Sequence, residues 1–281
     1  MPVSQFDSSN NLIYDLFYWQ VEMGKDEISE IAELLSGLIV ESNLCVIFTG
    51  AGISTASGIP DFRSPGGIWS RYDPDEFTYQ KFMESEENRR KRWKMFKETT
   101  NLFKTAPNAA HIAIADLERI GKLDCVITQN IDNLHQTAGN SKVIELHGNA
   151  LWIKCLDCGA RYTRDEIQQR LEAGEVIPAC SKCNGMLKSA TVMFGESMPE
   201  KETREAYERS QNSDLFFVIG SSLVVQPAAS MPLHAKRSGA KLVILNLSST
   251  PLDQLADVVA PYPATDIMPS VVERVRQKLN M

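Results

Sequence analysis

Four short apolar runs recur along this chain, and each ends in small or polar residues: LCVIFTGAG from Leu44, CVITQN from Cys125, LFFVIGSS from Leu215 and KLVILNL from Lys241. Runs of this length, rich in β-branched and aromatic residues, read as buried strands. Between them lie helical stretches: Ile28, Ile31, Leu34, Leu35 and Leu38 at amphipathic spacing from Asp26 onward, then residues 108–120 and 199–210. Buried strands alternating with helices imply a parallel α/β sheet, with ligands beyond the strands' C-terminal ends. Gly50, Ala51 and Gly52 fall at those ends, as do Gln129 and Asn130, Ser221 and Ser222, and Asn246. Any one of them reads equally well as a turn residue. Four such strand ends together suggest one crevice along the sheet edge.

With 281 residues, 43% of them hydrophobic, the chain can bury one large domain and a smaller appendage. Two insertions interrupt the α/β pattern, at residues 60–104 and 151–190. In the first, ESEENRRKRWKMFKE reads as a solvated helix face with Trp93 and Phe96 turned inward. The α/β segments are then 26–59, 105–150 and 191–281. A formal net charge of −7 argues against a nucleic-acid-binding surface. No secretory leader pattern opens the sequence and no apolar run is long enough for a bilayer, so the expected setting is cytoplasmic, away from membranes. Residues 1–10 are polar and expected to fray, and the aromatics of IYDLFYW (13–19) are expected to pack on the large domain or on another subunit.

Six cysteines without secretory context favour metal ligands and buried thiols over disulfides. Cys155-x2-Cys158 and Cys180-x2-Cys183 stand 21 residues apart, and two such knuckles complete a tetrahedral four-thiolate zinc shell. Two redox pairs would instead need each motif at a helix start beside a βαβ unit. A four-thiolate site is closed, so the metal stabilises the fold and takes no part in chemistry. It also leaves His147, in ELHGN (145–149), unnecessary as a ligand. Cys45 and Cys125 lie in apolar strands and read as core thiols.

TGAGISTASGIPDFRS (49–64) follows a strand, and its glycines would let the backbone approach a pyrophosphate. The spacing is not G-x-G-x-x-G, and no acidic residue sits about twenty positions later on a second strand end. GIPDFRS reads as a proline-restricted loop over a ligand. With TQNID (128–132), LHG (146–148), the two CxxC pairs, FGE (194–196), GSSLVVQP (220–227) and LN (245–246), the ordered set from about residue 28 to about 250 resembles the sirtuin family, in its bacterial form. These are NAD-dependent protein-lysine deacylases.

The resemblance implies a Rossmann-like parallel-sheet domain and a smaller inserted zinc-binding and helical domain, with NAD and acyl-lysine meeting between them. It implies cofactor contacts from Ala51, Gly52, Ser54 and Thr55 at the pyrophosphate, and from Phe62 and Arg63 in the loop covering the ribose. Gln129, Asn130, Ile131 and Asp132 would form the nicotinamide pocket, and Ser221, Ser222, Asn246 and Leu247 the adenosine side. Asn130 and His147 are the implied catalytic residues. His147 is the general base that takes a proton from a ribose hydroxyl after the acyl oxygen has displaced nicotinamide and formed an alkylimidate. The products would be nicotinamide, lysine and 2′-O-acetyl-ADP-ribose. The partner is an acetylated lysine peptide, added as a strand between VMFGE (Val192, Met193, Phe194, Gly195, Glu196) and SLVVQ (with Leu223 and Val224). No direct role with nucleic acid or membrane is implied.

The chain departs from the family in places. Desuccinylating members carry Tyr-x-x-Arg where Trp93 and Phe96 stand here, so a neutral acyl group, acetyl first, is expected. KSATVMFGE lacks the proline common before FGE, and VAPYPATDIMPS lacks the usual glycine-containing adenine loop, leaving contacts near 264–267 open. Mono-ADP-ribosyl transfer and a non-catalytic NAD-sensing module stand as alternatives; Asn130, Asp132 and His147 argue against the second.

Overall fold

The computed structural model of the chain describes residues 25–281, so the expectations for residues 1–10 and 13–19 lie outside the described residues. Six strands form one parallel sheet: β1 (Cys45–Thr49), β2 (Cys125–Thr128), β3 (Val143–Glu145), β7 (Leu215–Ile219), β8 (Lys241–Leu245) and β9 (Val258–Ala260). β4 (Gly148–Cys155), β5 (Arg161–Thr163) and β6 (Leu187–Thr191) form a separate antiparallel sheet.

Successive side chains of a strand point to opposite faces, and both faces of the large sheet are covered. Cys45, Ile47, Phe217 and Ile219 pack beneath helices Lys25–Glu41, Ala109–Arg119 and Ala264–Lys278. Val46, Phe48, Phe216 and Val218 pack beneath helices Glu200–Asn212 and Met231–Arg237. This is the parallel α/β layer that the apolar runs predicted, Rossmann-like as the resemblance implied, and it buries Cys45 and Cys125, whose thiols burial pushes up. Capping sets the helix starts: Asn108 accepts from the Ala110 and His111 amides while its own N–H reaches the His111 ring.

The sheet order is β3–β2–β1–β7–β8–β9, so connections leave β1 and β7 in opposite directions and open a crevice between them. The glycines there also meet a demand of the backbone itself. A Cβ on Gly50 or Gly52 would lie 2.8 Å from the Gly220 carbonyl oxygen, and one on Gly220 would lie 2.3 Å from the Ile53 nitrogen. The Gly52 N–H donates to the Gly220 carbonyl at 2.8 Å. The glycines thus lock the two strand ends against each other, backbone on backbone.

The two insertions share one hydrophobic core. Trp93 and Phe96 of helix Glu86–Glu98 pack with Ile153, Ile167, Leu171 and Leu187, as the inward-facing expectation required. Arg164 pins them together: its guanidinium lies 3.9 Å from the Phe96 ring and 4.1 Å from the Phe103 ring. It donates to the carbonyls of Phe96 and Ala150 and to Thr100 Oγ1. Residues 264–267 form the first turn of the last helix, where Ile267 and Met268 are buried. Among the described residues no helix is long and apolar enough to cross a membrane.

Candidate active site

A cavity of about 280 Å³ lies where the C-terminal edge of the large sheet meets the smaller unit. Ala51, Ser54, Gln129, Asp132, His147 and Phe194 are among the residues that line it. Phe62, Arg63, Asn130, Ile131, Val192, Met193, Gly195 and Glu196 line it too, so most of the expected cofactor and substrate residues converge.

Of the four histidines, His147 is the one on the cavity wall. His111 and His135 are buried with rings 4.9 Å apart, and burial pushes them down to about 4 and about 3, which fixes them as neutral packing groups. His234 stacks edge-on against Tyr207. His147 Nδ1 lies 3.0 Å from the Gln129 carbonyl oxygen. A carbonyl only accepts, so Nδ1–H donates and the lone pair of the neutral ring sits on Nε2. Burial lowers the pKa of His147, and the bond to Gln129 partly opposes the shift.

The ELHGN corner is built to hold that ring. Gly148 has φ +72°, and a Cβ there would stand 2.0 Å from the Ala190 carbonyl oxygen, so only glycine lets β4 turn onto β6. Glu145 Oε1 accepts from Asn149 Nδ2 at 2.7 Å and from Gln136 Nε2 at 2.8 Å, closing the corner around His147. The Val192 N–H donates to the His147 carbonyl at 2.8 Å, which ties the expected substrate strand to the histidine's own backbone.

Deeper in the cavity, Ser54 Oγ donates to Asp132 Oδ2 at 2.7 Å, and Leu134 N–H donates to Oδ1 at 2.9 Å. Burial raises the pKa of Asp132, against both bonds. Asn130 Nδ2 reaches the Gly50 carbonyl and Ser54 Oγ, which leaves its Oδ1 as the acceptor. Gln129 Nε2 donates to Ser221 Oγ at 2.7 Å, joining the ends of β2 and β7. A carboxylate has more acceptor sites than these two bonds occupy, so Asp132 retains capacity for an amide N–H. Small side chains, a buried carboxylate and a free amide oxygen suit a nicotinamide carboxamide and ribose.

Other expected contacts lie elsewhere. Ser222, Asn246 and Leu247 follow the ends of β7 and β8, along the sheet edge but outside the cavity. Thr55 donates to the Gly52 carbonyl. Leu223 is 3% exposed and packs in the core with a left-handed backbone (φ +55°), while Val224 is 51% exposed. The cavity wall from this segment is instead Val225, Gln226 and Pro227.

Sequence reasoning missed Trp69, whose ring lies 5.5 Å from Phe62, 6.5 Å from Phe77 and 5.9 Å from Phe194. It joins the loop carrying Phe62 to the segment carrying Phe194, and an aromatic inside a glycine-rich loop was the available signal. Arg92 was missed as well. It lines the cavity beside Phe96 and donates to Met95 Sδ at 3.4 Å.

The four knuckle sulfurs lie within 4.8 Å of one another, with Cys155–Cys183 and Cys158–Cys180 at 3.6 Å. Thiolates about 2.3 Å from one zinc stand ~3.8 Å apart, so the set fits a single tetrahedral ion. Each knuckle closes alike. The Gly159 N–H returns to the Cys155 carbonyl and the Asn184 N–H to the Cys180 carbonyl, both from left-handed backbone. Tyr162 Oη lies 3.1 Å from Cys180 Sγ, a hydrogen bond that would orient and stabilise a ligating thiolate.

A family model described as Sir2 family matches residues 50–227. The chain is 43% identical to NAD-dependent protein deacetylase 1 of Pyrobaculum aerophilum, over 92% of this chain and 99% of that protein. It is 48% identical to NAD-dependent protein deacetylase 1 of Bradyrhizobium diazoefficiens, over 81% of this chain and 89% of that protein. A solved Sir2 variant in complex with deacetylated p53 peptide and 3′-O-acetyl-ADP-ribose superposes with a TM-score of 0.80 at 41% identity, covering 86% of this chain and 97% of that one.

Proposed function

The chain belongs to the Sir2 family, and on that premise we propose how its own residues carry the family's reaction. It is an NAD-dependent protein-lysine deacetylase, with NAD as co-substrate and zinc as a structural ion. The observation that carries the assignment of the base is the Nδ1–H bond of His147 to the Gln129 carbonyl, which leaves Nε2 as the acceptor in the cavity. Bound in this cavity, NAD would supply an electrophilic ribose carbon with nicotinamide as its leaving group. Asp132 accepts from the carboxamide N–H, and Asn130 Oδ1 orients a ribose hydroxyl or water. His147 Nε2 removes the ribose hydroxyl proton. Phe62 and Arg63 close the cavity from the loop side, and Trp69 holds that loop to Phe194. Ser221, Ser222, Asn246 and Leu247 take the adenosine end along the sheet edge.

The substrates are acetylated lysine segments of proteins, presented in the cytoplasm, with no direct role for nucleic acid or membrane. All four of Thr191, Val192, Met193 and Phe194 line the cavity, Val192 and Phe194 more exposed than the buried Thr191 and Met193, an alternation suited to an extended segment that a peptide pairs with. Thr78 and Tyr79 already occupy one edge of this segment: the Tyr79 N–H donates to the Phe194 carbonyl at 2.8 Å. The peptide therefore takes the cleft side, opposite Val225 and Gln226.

A base must be neutral to act. The lowered pKa of His147 keeps it neutral through pH 7 and places its protonation below its ordinary value of 6.5. The acid limb of kcat/KM is accordingly expected to fall with a midpoint below 6.5; a limb centred above pH 7 would remove His147 as the base.

Phe96 on the cavity wall offers an acyl carboxylate no donor, so acetyl-lysine is expected to outpace succinyl-lysine in one peptide sequence. A faster succinyl reaction would overturn this and direct attention to Arg92.

A further inference from the structure

Lys188 is 2% exposed, among the largest fully buried side chains of the molecule. An ammonium has three N–H donors, and Lys188 Nζ has three oxygen acceptors: the Thr191 carbonyl at 2.6 Å, the Ser189 carbonyl at 3.2 Å and Glu196 Oε2 at 2.8 Å. Glu196 Oε2 also accepts from the Met193 N–H at 3.0 Å, and the Glu196 N–H returns to the Met193 carbonyl at 3.0 Å. Gly195, at φ +78°, makes that turn possible. One buried cation thus gathers both ends of residues 189–196, a stretch with no proline to restrict its backbone.

We propose that Lys188 is a positioning residue for the peptide substrate: with Glu196 it fixes the shape of the 192–196 strand on which the acetyl-lysine peptide is laid. The inference rests on the reading of that segment as the substrate strand. Backbone pairing gives affinity only if the receiving strand is already in register, because otherwise ordering it is subtracted from binding. The same strand begins at the Val192 N–H bond to the His147 carbonyl, so its shape also sets where the acyl group arrives relative to the base. Lys188 touches neither substrate nor cavity contents in this role; it acts through Glu196, Thr191 and Met193.

The test uses the zinc-loaded enzyme and the variants Lys188→Met, Lys188→Arg and Glu196→Gln, with steady-state kinetics for acetyl-peptide and NAD separately. Binding of a fluorescent acetyl-peptide is followed by anisotropy. Lys188→Met is expected to raise the peptide KM and Kd at least about tenfold while the NAD KM moves less than about twofold. Lys188→Arg, which keeps charge and donors, is expected to recover most of the loss. Should the methionine variant not fold, Glu196→Gln carries the same test, because it keeps volume and an acceptor for Met193 while removing the ion pair. Peptide and NAD constants rising together, or peptide constants unchanged in the folded variants, would overturn the proposal. Absence of any deacetylation by the unmodified enzyme would instead strike the functional reading, and the anisotropy arm separates the two failures.

Discussion

His147→Ala is expected to lower deacetylation by about 10²- to 10⁴-fold, the range that general-base groups supply, without loss of fold or zinc. The ring makes one hydrogen bond, Nδ1–H to the Gln129 carbonyl. The strand pairing beside it runs through the His147 carbonyl oxygen, which alanine retains. The Glu145–Asn149 closure and the Gly148 turn are also untouched, so the corner keeps its shape while losing its base. Melting temperature and zinc stoichiometry should match the unmodified protein, and peptide binding should persist. Turnover within tenfold of the original would contradict the assignment of the base.

Removing zinc is expected to have an effect of similar size by a different route. Structural zinc sites contribute folding free energy on the order of 10 kcal/mol, and here the ligands are part of the smaller unit's core. Cys155 and Cys180 pack with Trp93, Phe96, Ile153 and Leu187. β4 runs from Gly148, beside His147, to Cys155 itself, so disorder at the knuckles reaches the His147 corner along one strand. Chelation, or Cys180→Ser, should abolish activity and melt the smaller unit. Restoring one zinc equivalent should restore the chelated protein. Full activity in zinc-free protein would show that the four thiolates are not a structural site, and recovery on thiol reduction alone would favour redox pairs.

Much of this architecture was legible because it depends on local pattern. Fully buried parallel strands must be apolar throughout, and so β1, β2, β7 and β8 stood out as runs. The CxxC knuckles are short-range geometry and could be read directly. The spacing of the Gly50–Gly52 turn suggests an approach for phosphate but gives no sign of its second demand, the backbone of Gly220, about 170 residues onward in the numbering. Leu223 was placed at the substrate because of its neighbours in the sequence, but the left-handed turn there sends it into the core. Lys188 gave no signal at all, because a lysine in a strand reads as exposed until its three acceptors are brought around it. Trp69 became meaningful only when the loop and Phe194 met. Residues acting through long-range closure stay hidden, whereas residues acting through spacing do not.

The most direct test incubates the zinc-loaded protein with NAD and an acetyl-lysine peptide and determines the mass of the ADP-ribose product. The expected result is one O-acetyl-ADP-ribose and one free lysine per nicotinamide released, with His147→Ala forming none at a comparable rate. Nicotinamide release with the acetyl group still on the peptide, accompanied by free ADP-ribose or an ADP-ribosylated protein, would contradict the deacetylase account.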